Sequence, residues 1–287
     1  MQSTANPDSE QGSQFLSVGR HWHGLQSLRH LVIFGDSYSD VGFVTTGCPN
    51  PTERHPLGLP YPGITWAEND KPNWVGYFVK EFNKDRSLLV YDYAVGGDVV
   101  RNMVNRVDRL FIPKIGNRPD FAPWTPDDSL FITWIGINDC AFISGDDAIK
   151  ACQQTLFELE VKLYALGARN FLFIDVPAIE RAPGSESIRE RTSQGFRKWN
   201  QHLREAINQF ASSRTDVTTM LYSSYDLFTR MFTNPQAYGF TDEDIGKWGG
   251  AVWIDHIHPT TRVHREIAGD LFKFLESHSE GTTAFSE

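Results

Sequence analysis

The sequence predicts a single-domain, flavodoxin-like three-layer α/β/α sandwich around a five-stranded, mainly parallel sheet. Three observations carry the prediction. Short apolar runs alternate with longer amphipathic stretches from residue 31 to residue 274, as strands joined by crossover helices do. The first run, Leu31-Val32-Ile33-Phe34, is apolar at every position, and strands that alternate with helices from end to end suit a parallel sheet covered on both faces. At 287 residues, 40% hydrophobic and 22% charged, the chain can bury one large core, and it shows no second core, repeat or low-complexity segment. The folded unit is expected over 29–278, with a flexible tail and lead-in at 1–28 and a short tail at 279–287.

In order, strand one is expected at 31–34, where Leu31-Val32-Ile33-Phe34 runs into Gly35-Asp36-Ser37. Residues 45–72 read as a long loop rich in Pro and Gly; loops of that length within a compact domain are usually functional or disordered, and Tyr61 and Trp66 favour the functional reading. A helix follows at 74–82, with Trp74, Phe78 and Phe82 on one face. Strand two is expected at 88–93, ending at Gly96-Gly97-Asp98, and a helix at 99–111. Strand three, at 129–135, ends at Gly136-Ile137-Asn138-Asp139. A helix at 146–166 repeats apolar residues at steps of three and four, and Gly167 stops it. Strand four at 171–174, a helix at 185–213, strand five at 218–222 and a helix at 225–232 complete the alternation. An irregular stretch, 233–254, carries Trp248 and Trp253 and leads through Asp255-His256-Ile257-His258-Pro259 into a final helix near 260.

Composition excludes several functions. The net charge of −9 with no Lys/Arg cluster argues against a nucleic-acid partner. No apolar run approaches the roughly 18 residues of a membrane span. Three cysteines, Cys48, Cys140 and Cys152, form neither a disulfide framework nor a zinc spacing, so no metal or cofactor is expected. The polar N-terminus lacks the basic and apolar regions of a secretory signal, which predicts a cytoplasmic protein, or a secreted one if a leader precedes this sequence.

Parallel strands gather their carboxyl-end loops on one rim, where open α/β sheets bind ligands. Ser37, Gly96-Gly97, Asn138 and Asp255/His258 all fall in such loops. Their chemistry fits acyl transfer. A serine hydroxyl needs a base, and His258 can be that base, with Asp255 fixing its tautomer. The backbone N–H groups of Ser37 and of Gly97 or Gly96, with the Asn138 amide, can hold the developing oxyanion. Plainer roles stand beside these. Ser37 can cap a helix, Asp255 can cap the last helix, and Asn138 can be a turn residue. His256 competes with His258, but its side chain should point away from Asp255. Asp36 and Asp139 read as structural, and Asp40 as a surface or cap residue. Tyr61, Trp66, Trp248 and Trp253 are candidate sugar platforms or core aromatics.

Gly35-Asp36-Ser37, the Gly96-Gly97-Asp98 turn, Gly136-x-Asn138-Asp139 and Asp255-x-x-His258-Pro259 together resemble, in order, the four blocks of the SGNH (GDSL) hydrolase family. Phe34-Gly35-Asp36-Ser37-Tyr38, the Pro56-Leu57-Gly58…Tyr61-Pro62-Gly63 loop, Pro72-Asn73-Trp74-Val75-Gly76-Tyr77 and Trp134-Ile135-Gly136-Ile137-Asn138-Asp139 look most like fungal acetylesterases of carbohydrate esterase family 16. That resemblance implies the SGNH hydrolase fold and hydrolysis of small acyl esters, chiefly acetyl esters of short oligosaccharides, by a secreted enzyme. The alternatives are an acyltransferase or a broader short-chain lipase with the same three residues, and a carbohydrate-binding protein without catalysis.

Overall fold

A computed structural model describes residues 12–84, 86–185 and 189–278. The expected tail at 279–287, the first residues of the expected N-terminal tail and the first turn of the helix expected at 185–213 lie outside the described residues.

The sheet has six strands: β1 Gln14–Ser17, β2 His30–Gly35, β3 Leu89–Asp92, β4 Ser129–Trp134, β5 Asn170–Ile174 and β6 Thr218–Tyr222, in spatial order β1-β6-β5-β4-β2-β3. The five strands from β2 to β6 are parallel and match the expected ones to within a residue or two. Their order is the flavodoxin order. β2, β4, β5 and β6 are buried at every position, which is why they read as largely apolar runs.

The sixth strand corrects the five-strand expectation. β1 lies within the segment expected as tail and lead-in and pairs antiparallel with β6, Gln14 opposite Leu221 and Phe15 opposite Met220. Its four residues, Gln-Phe-Leu-Ser, are partly exposed and too few to display a period. Phe15 anchors it by packing on Trp22, Phe274 and His278.

Helices cover both faces. On one side α1 (Trp74–Tyr77), which continues as a wider turn through Phe82, packs on α7 (Thr261–Glu276). On the other, α4 (Asp146–Ala165) packs between α2 (Val100–Asn105) and α5 (Arg189–Ser212). The α2 helix continues to Gly116 with Pro113 inside it, five residues past the expected end, because its wider turns absorb the missing proline N–H. A short helix α3 (Asp139–Phe142), not expected, follows β4, and α6 (Ser224–Thr233) follows β6. Between the layers, Phe34, Tyr93, Phe111, Trp124 and Phe131 interlock edge-on and stacked.

The chain leaves β2 toward β3 on one side and returns to β4 on the other. The strand order therefore reverses between β2 and β4, the point at whose carboxyl ends open α/β sheets bind ligands. Ser37 follows β2 and Asn138 follows β4, so the fold delivers both to that point.

Candidate active site

Ser37 lies in a tight turn at the end of β2. Asp36 builds the turn: its carbonyl accepts from Ser39 and Asp40 N–H at 3.0 Å each, and its Oδ1 accepts from Tyr38 N–H at 3.0 Å. No helix follows for Ser37 to cap. Asp36 is fully buried, and its Oδ2 has no partner among the described residues. Burial pushes its carboxyl up to about 8 against the pull of the Tyr38 N–H, with Asp139, Asp98 and Asp40 adding to the rise. Asp36 is thus mainly protonated at neutral pH and adds little charge to the rim.

The loop before α7 brings the imidazole. Ile254 N–H donates to His258 O at 2.9 Å and Thr260 N–H to Val252 O at 2.9 Å, closing a narrow hairpin. Within it Asp255 Oδ1 accepts from Ile257 and His258 N–H at 2.9 and 2.8 Å, an Asx turn that aims the other carboxylate oxygen back at the ring. Asp255 Oδ2 lies 2.7 Å from His258 Nδ1, and His258 Nε2 lies 3.0 Å from Ser37 Oγ. The Tyr38 hydroxyl donates to Ile257 O at 2.7 Å and ties the serine turn to the histidine loop. Partial burial raises the Asp255 carboxyl, but the His258 N–H, the His258 ring and the Ile257 N–H outweigh it and hold the group below its usual value. A carboxylate on Nδ1 leaves Nε2 bare to accept from the serine hydroxyl.

His256 does not point away from Asp255 as expected, since its Nδ1 is 3.6 Å from Asp255 Oδ1, but its side chain is exposed, its ring faces Trp248, and it has no hydrogen bond to Ser37 among the described residues. Asp255 does not cap α7 either; Thr260 occupies that position.

The turn after β3 supplies backbone donors. Gly96 N–H is already committed, donating to Asp40 Oδ2 at 2.9 Å. Gly97 N–H and Ser37 N–H have no acceptor among the described residues. Gly97 has φ +81°, a left-handed conformation that glycine adopts without strain, and it is exposed on the rim. Asn138 Nδ2 donates to Asp98 O at 3.0 Å, which holds the amide against this same turn. Asp98 is pinned in turn by a two-pronged ion pair from Arg106, at 2.8 and 3.1 Å. Asp139 accepts from Val100 N–H at 3.1 Å and so tethers the start of α2 to the β4 loop; burial raises its carboxyl. The structural roles expected for Asp36 and Asp139 are those seen.

The aromatic candidates separate. The Trp66 ring stacks on His258, centroids 5.0 Å apart and 26° from parallel, with the indole half exposed. Trp248 is 63% exposed beside His256. Tyr61 is half exposed over Gly76 of α1, with no ring contact or hydrogen bond to Ser37 or His258 among the described residues. Trp253 takes the core alternative, which rules out the sugar-platform role: it is fully buried, its Nε1 donates to Ile245 O at 2.6 Å, and Phe228 and Phe232 flank it. Asp40, read as a surface or cap residue, is also buried, and it joins three segments of the rim. The tie that Tyr38 makes to the histidine loop is not foreshadowed by its place in the serine motif, although a tyrosine directly after the serine is a usable signal.

The fold is an α/β/α sandwich that carries a serine, a histidine and a carboxylate in hydrogen-bond contact on one rim. Residues 31–271 match the family described as GDSL-like Lipase/Acylhydrolase, and the chain belongs to that family. It is a carboxylic ester hydrolase acting on small acyl esters, and the resemblance read from the four sequence blocks holds. An acetylesterase from Thermothelomyces thermophilus is 31% identical over 265 residues, covering 84% of this chain and 86% of that one. Among solved structures, the acetylxylan esterase Axe2 from Geobacillus stearothermophilus superposes with a TM-score of 0.55 at 16% identity, covering 86% of this chain and 94% of the other. The lipase Lip_vut3 from a goat rumen metagenome gives a TM-score of 0.53 at 14% identity, covering 88% and 100%. These two show a shared fold. No helix among the described residues is long and apolar enough to cross a membrane.

Proposed function

We propose that the protein is a serine acetylesterase in which Ser37 is the nucleophile, His258 the general base and acid, and Asp255 the group that orients the imidazole. The observation that carries this reading is the unbroken relay of 3.0 Å from Ser37 Oγ to His258 Nε2 and 2.7 Å from His258 Nδ1 to Asp255 Oδ2. Ser37 Oγ attacks the acyl carbonyl as its proton passes to Nε2. Negative charge builds on the carbonyl oxygen, and Ser37 N–H, Gly97 N–H and the second Asn138 amide hydrogen receive it. Gly97 is preferred to Gly96 because the Gly96 N–H is already spent on Asp40. The intermediate collapses, the alcohol leaves with the proton from Nε2, and the acyl group stays on Ser37. Water then repeats the sequence and releases the acid. An ionised Asp255 is required throughout, and its depressed carboxyl pKa supplies it.

Acetate is the favoured acyl group because the acetylesterase relative is aligned over most of this chain. A short acetylated oligosaccharide is the favoured alcohol. Sugars stack on aromatic faces, and the exposed indoles of Trp66 and Trp248 flank the His258 loop.

Ser37→Ala should lower turnover of 4-nitrophenyl acetate on the order of 10⁴-fold or more while leaving circular dichroism unchanged. Turnover within tenfold of the parent would remove Ser37 from its role. Butyrate and octanoate esters should be cleaved progressively more slowly than acetate, and acetylated xylo-oligosaccharides should release acetate.

A further inference from the structure

Asp40 is 6% exposed, three residues beyond Ser37, and the reaction sequence above gives it nothing to do. Its Oδ1 accepts from Gly42 N–H at 2.8 Å and its carbonyl from Asn73 Nδ2 at 3.0 Å, which anchor the residue itself. Its Oδ2 accepts from two distant segments, Gly96 N–H at 2.9 Å and Trp66 Nε1–H at 3.2 Å. The first donor belongs to the turn whose next residue is Gly97. The second belongs to the indole stacked on His258 at 5.0 Å. Turn and indole also touch directly: a Cβ at Gly96 would stand 2.3 Å from the Trp66 ring, so no side chain fits there.

We propose that Asp40 is a positioning residue that holds the oxyanion turn and the cover of the base in register through one carboxylate oxygen. The proposal rests on the roles given to Ser37, His258 and Gly97 above. The two arms act on different parts of the reaction. The Gly96 arm sets where the Gly97 N–H stands, so it affects the oxyanion of every ester alike. The Trp66 arm keeps the imidazole in one plane and offers its π face to the imidazolium formed when Ser37 is deprotonated. That ring must then protonate the departing oxygen. An alkoxide leaves poorly without that proton, whereas a nitrophenoxide leaves readily without it. The Trp66 arm is therefore felt mainly with alkyl esters.

The test compares kcat/KM, which reports acylation, for ethyl acetate and 4-nitrophenyl acetate. It uses the full chain, normalised to sites titrated with a serine-directed phosphonate, so that misfolded protein does not count. Trp66→Ala should lower kcat/KM for ethyl acetate about tenfold and for the nitrophenyl ester less than about threefold. Asp40→Asn cannot present an acceptor to Gly42, Gly96 and Trp66 together, and it should lower both esters about tenfold or more, ethyl acetate further. Trp66→Phe, which keeps a ring but lacks the N–H, should cost ethyl acetate several-fold in the parent and nothing further in the Asp40→Asn background. The proposal is overturned if Asp40→Asn stays within threefold of the parent per titrated site on both esters, or if its effect adds fully to that of Trp66→Phe. Should Asp40→Asn fail to fold, equal losses on both esters with Trp66→Ala would overturn it instead. Full activity in Ser37→Ala would refute the underlying nucleophile assignment, an outcome separate from all of these.

Discussion

The Asn138 amide has two hydrogens, and one of them is committed, since Nδ2 donates to Asp98 O at 3.0 Å. That bond holds the amide still while its second hydrogen stays free, and a preorganised donor costs no rearrangement when charge develops. Asn138→Ala should therefore lower kcat on 4-nitrophenyl acetate about 10²–10³-fold with KM little changed. The lost bond to Asp98 should destabilise the fold by only about 1 kcal/mol. A loss of less than tenfold in kcat would take Asn138 out of the donor set. Asp40 shows why single residues differ in how readily a sequence discloses them. Asn138 lies in the loop just after an apolar strand, a position that marks it as a rim residue. The partners of Asp40 lie 26 and 56 positions away at Trp66 and Gly96, and nothing local distinguishes it from a solvated turn carboxylate. Trp253 stayed open for a different reason: an aromatic in an irregular stretch has no period to tell inward from outward, and this one is inward.

Among the elements, the five parallel strands were legible because burial on both faces keeps each of them largely apolar and the helices between them show their own period. β1 was not, because an edge strand of four residues with one half-buried phenylalanine looks like polar lead-in. Its part in the sheet is nonetheless definite. It covers the backbone edge of β6, and the Ser17 hydroxyl reinforces the pairing with bonds to Val217 O at 3.0 Å and Thr219 Oγ1 at 2.8 Å. β6 is buried and mostly apolar, so uncovering its edge would leave a template for pairing with other chains. Phe15→Ala removes the ring that packs on Trp22, Phe274 and His278. For this half-buried side chain the expected cost is about 2 kcal/mol, or a Tm lower by roughly 4–8 °C. Light scattering should rise with the melt as the β6 edge is released. An unchanged melting curve would mean that β1 is an ornament on the sheet rather than its closure.

At the scale of the whole molecule, buried carboxyls tie stability to pH, and burial raises Asp92 as it does Asp36, Glu160 and Asp175. Burial pushes Asp36 and Glu160 up to about 8 and Asp175 up to about 7, in each case against hydrogen bonds that lower it. Only Glu160 lies apart from the rim and from any loop. It sits on α4 facing β4, with Oε1 accepting from Thr133 Oγ1 at 3.0 Å and Oε2 unpartnered among the described residues. The folded protein keeps Glu160 protonated up to about pH 8, while the unfolded chain releases that proton near the usual 4.5. Between those values the native state binds a proton that the unfolded state lacks, so stability falls as pH rises. The slope is on the order of 1.4 kcal/mol per pH unit and flattens above the folded value. Below 4.5 the contribution is complete. Glu160→Gln deletes this titration and keeps the shape. Its amide gains an unpaired N–H where Oε2 stood, a penalty that does not vary with pH. In urea melts the variant should therefore gain on the parent by a few kcal/mol between pH 5 and pH 8, whichever of the two is the more stable at pH 5. A difference that stays constant across that window would mean that Glu160 carries its charge inside the folded protein and has a compensating partner.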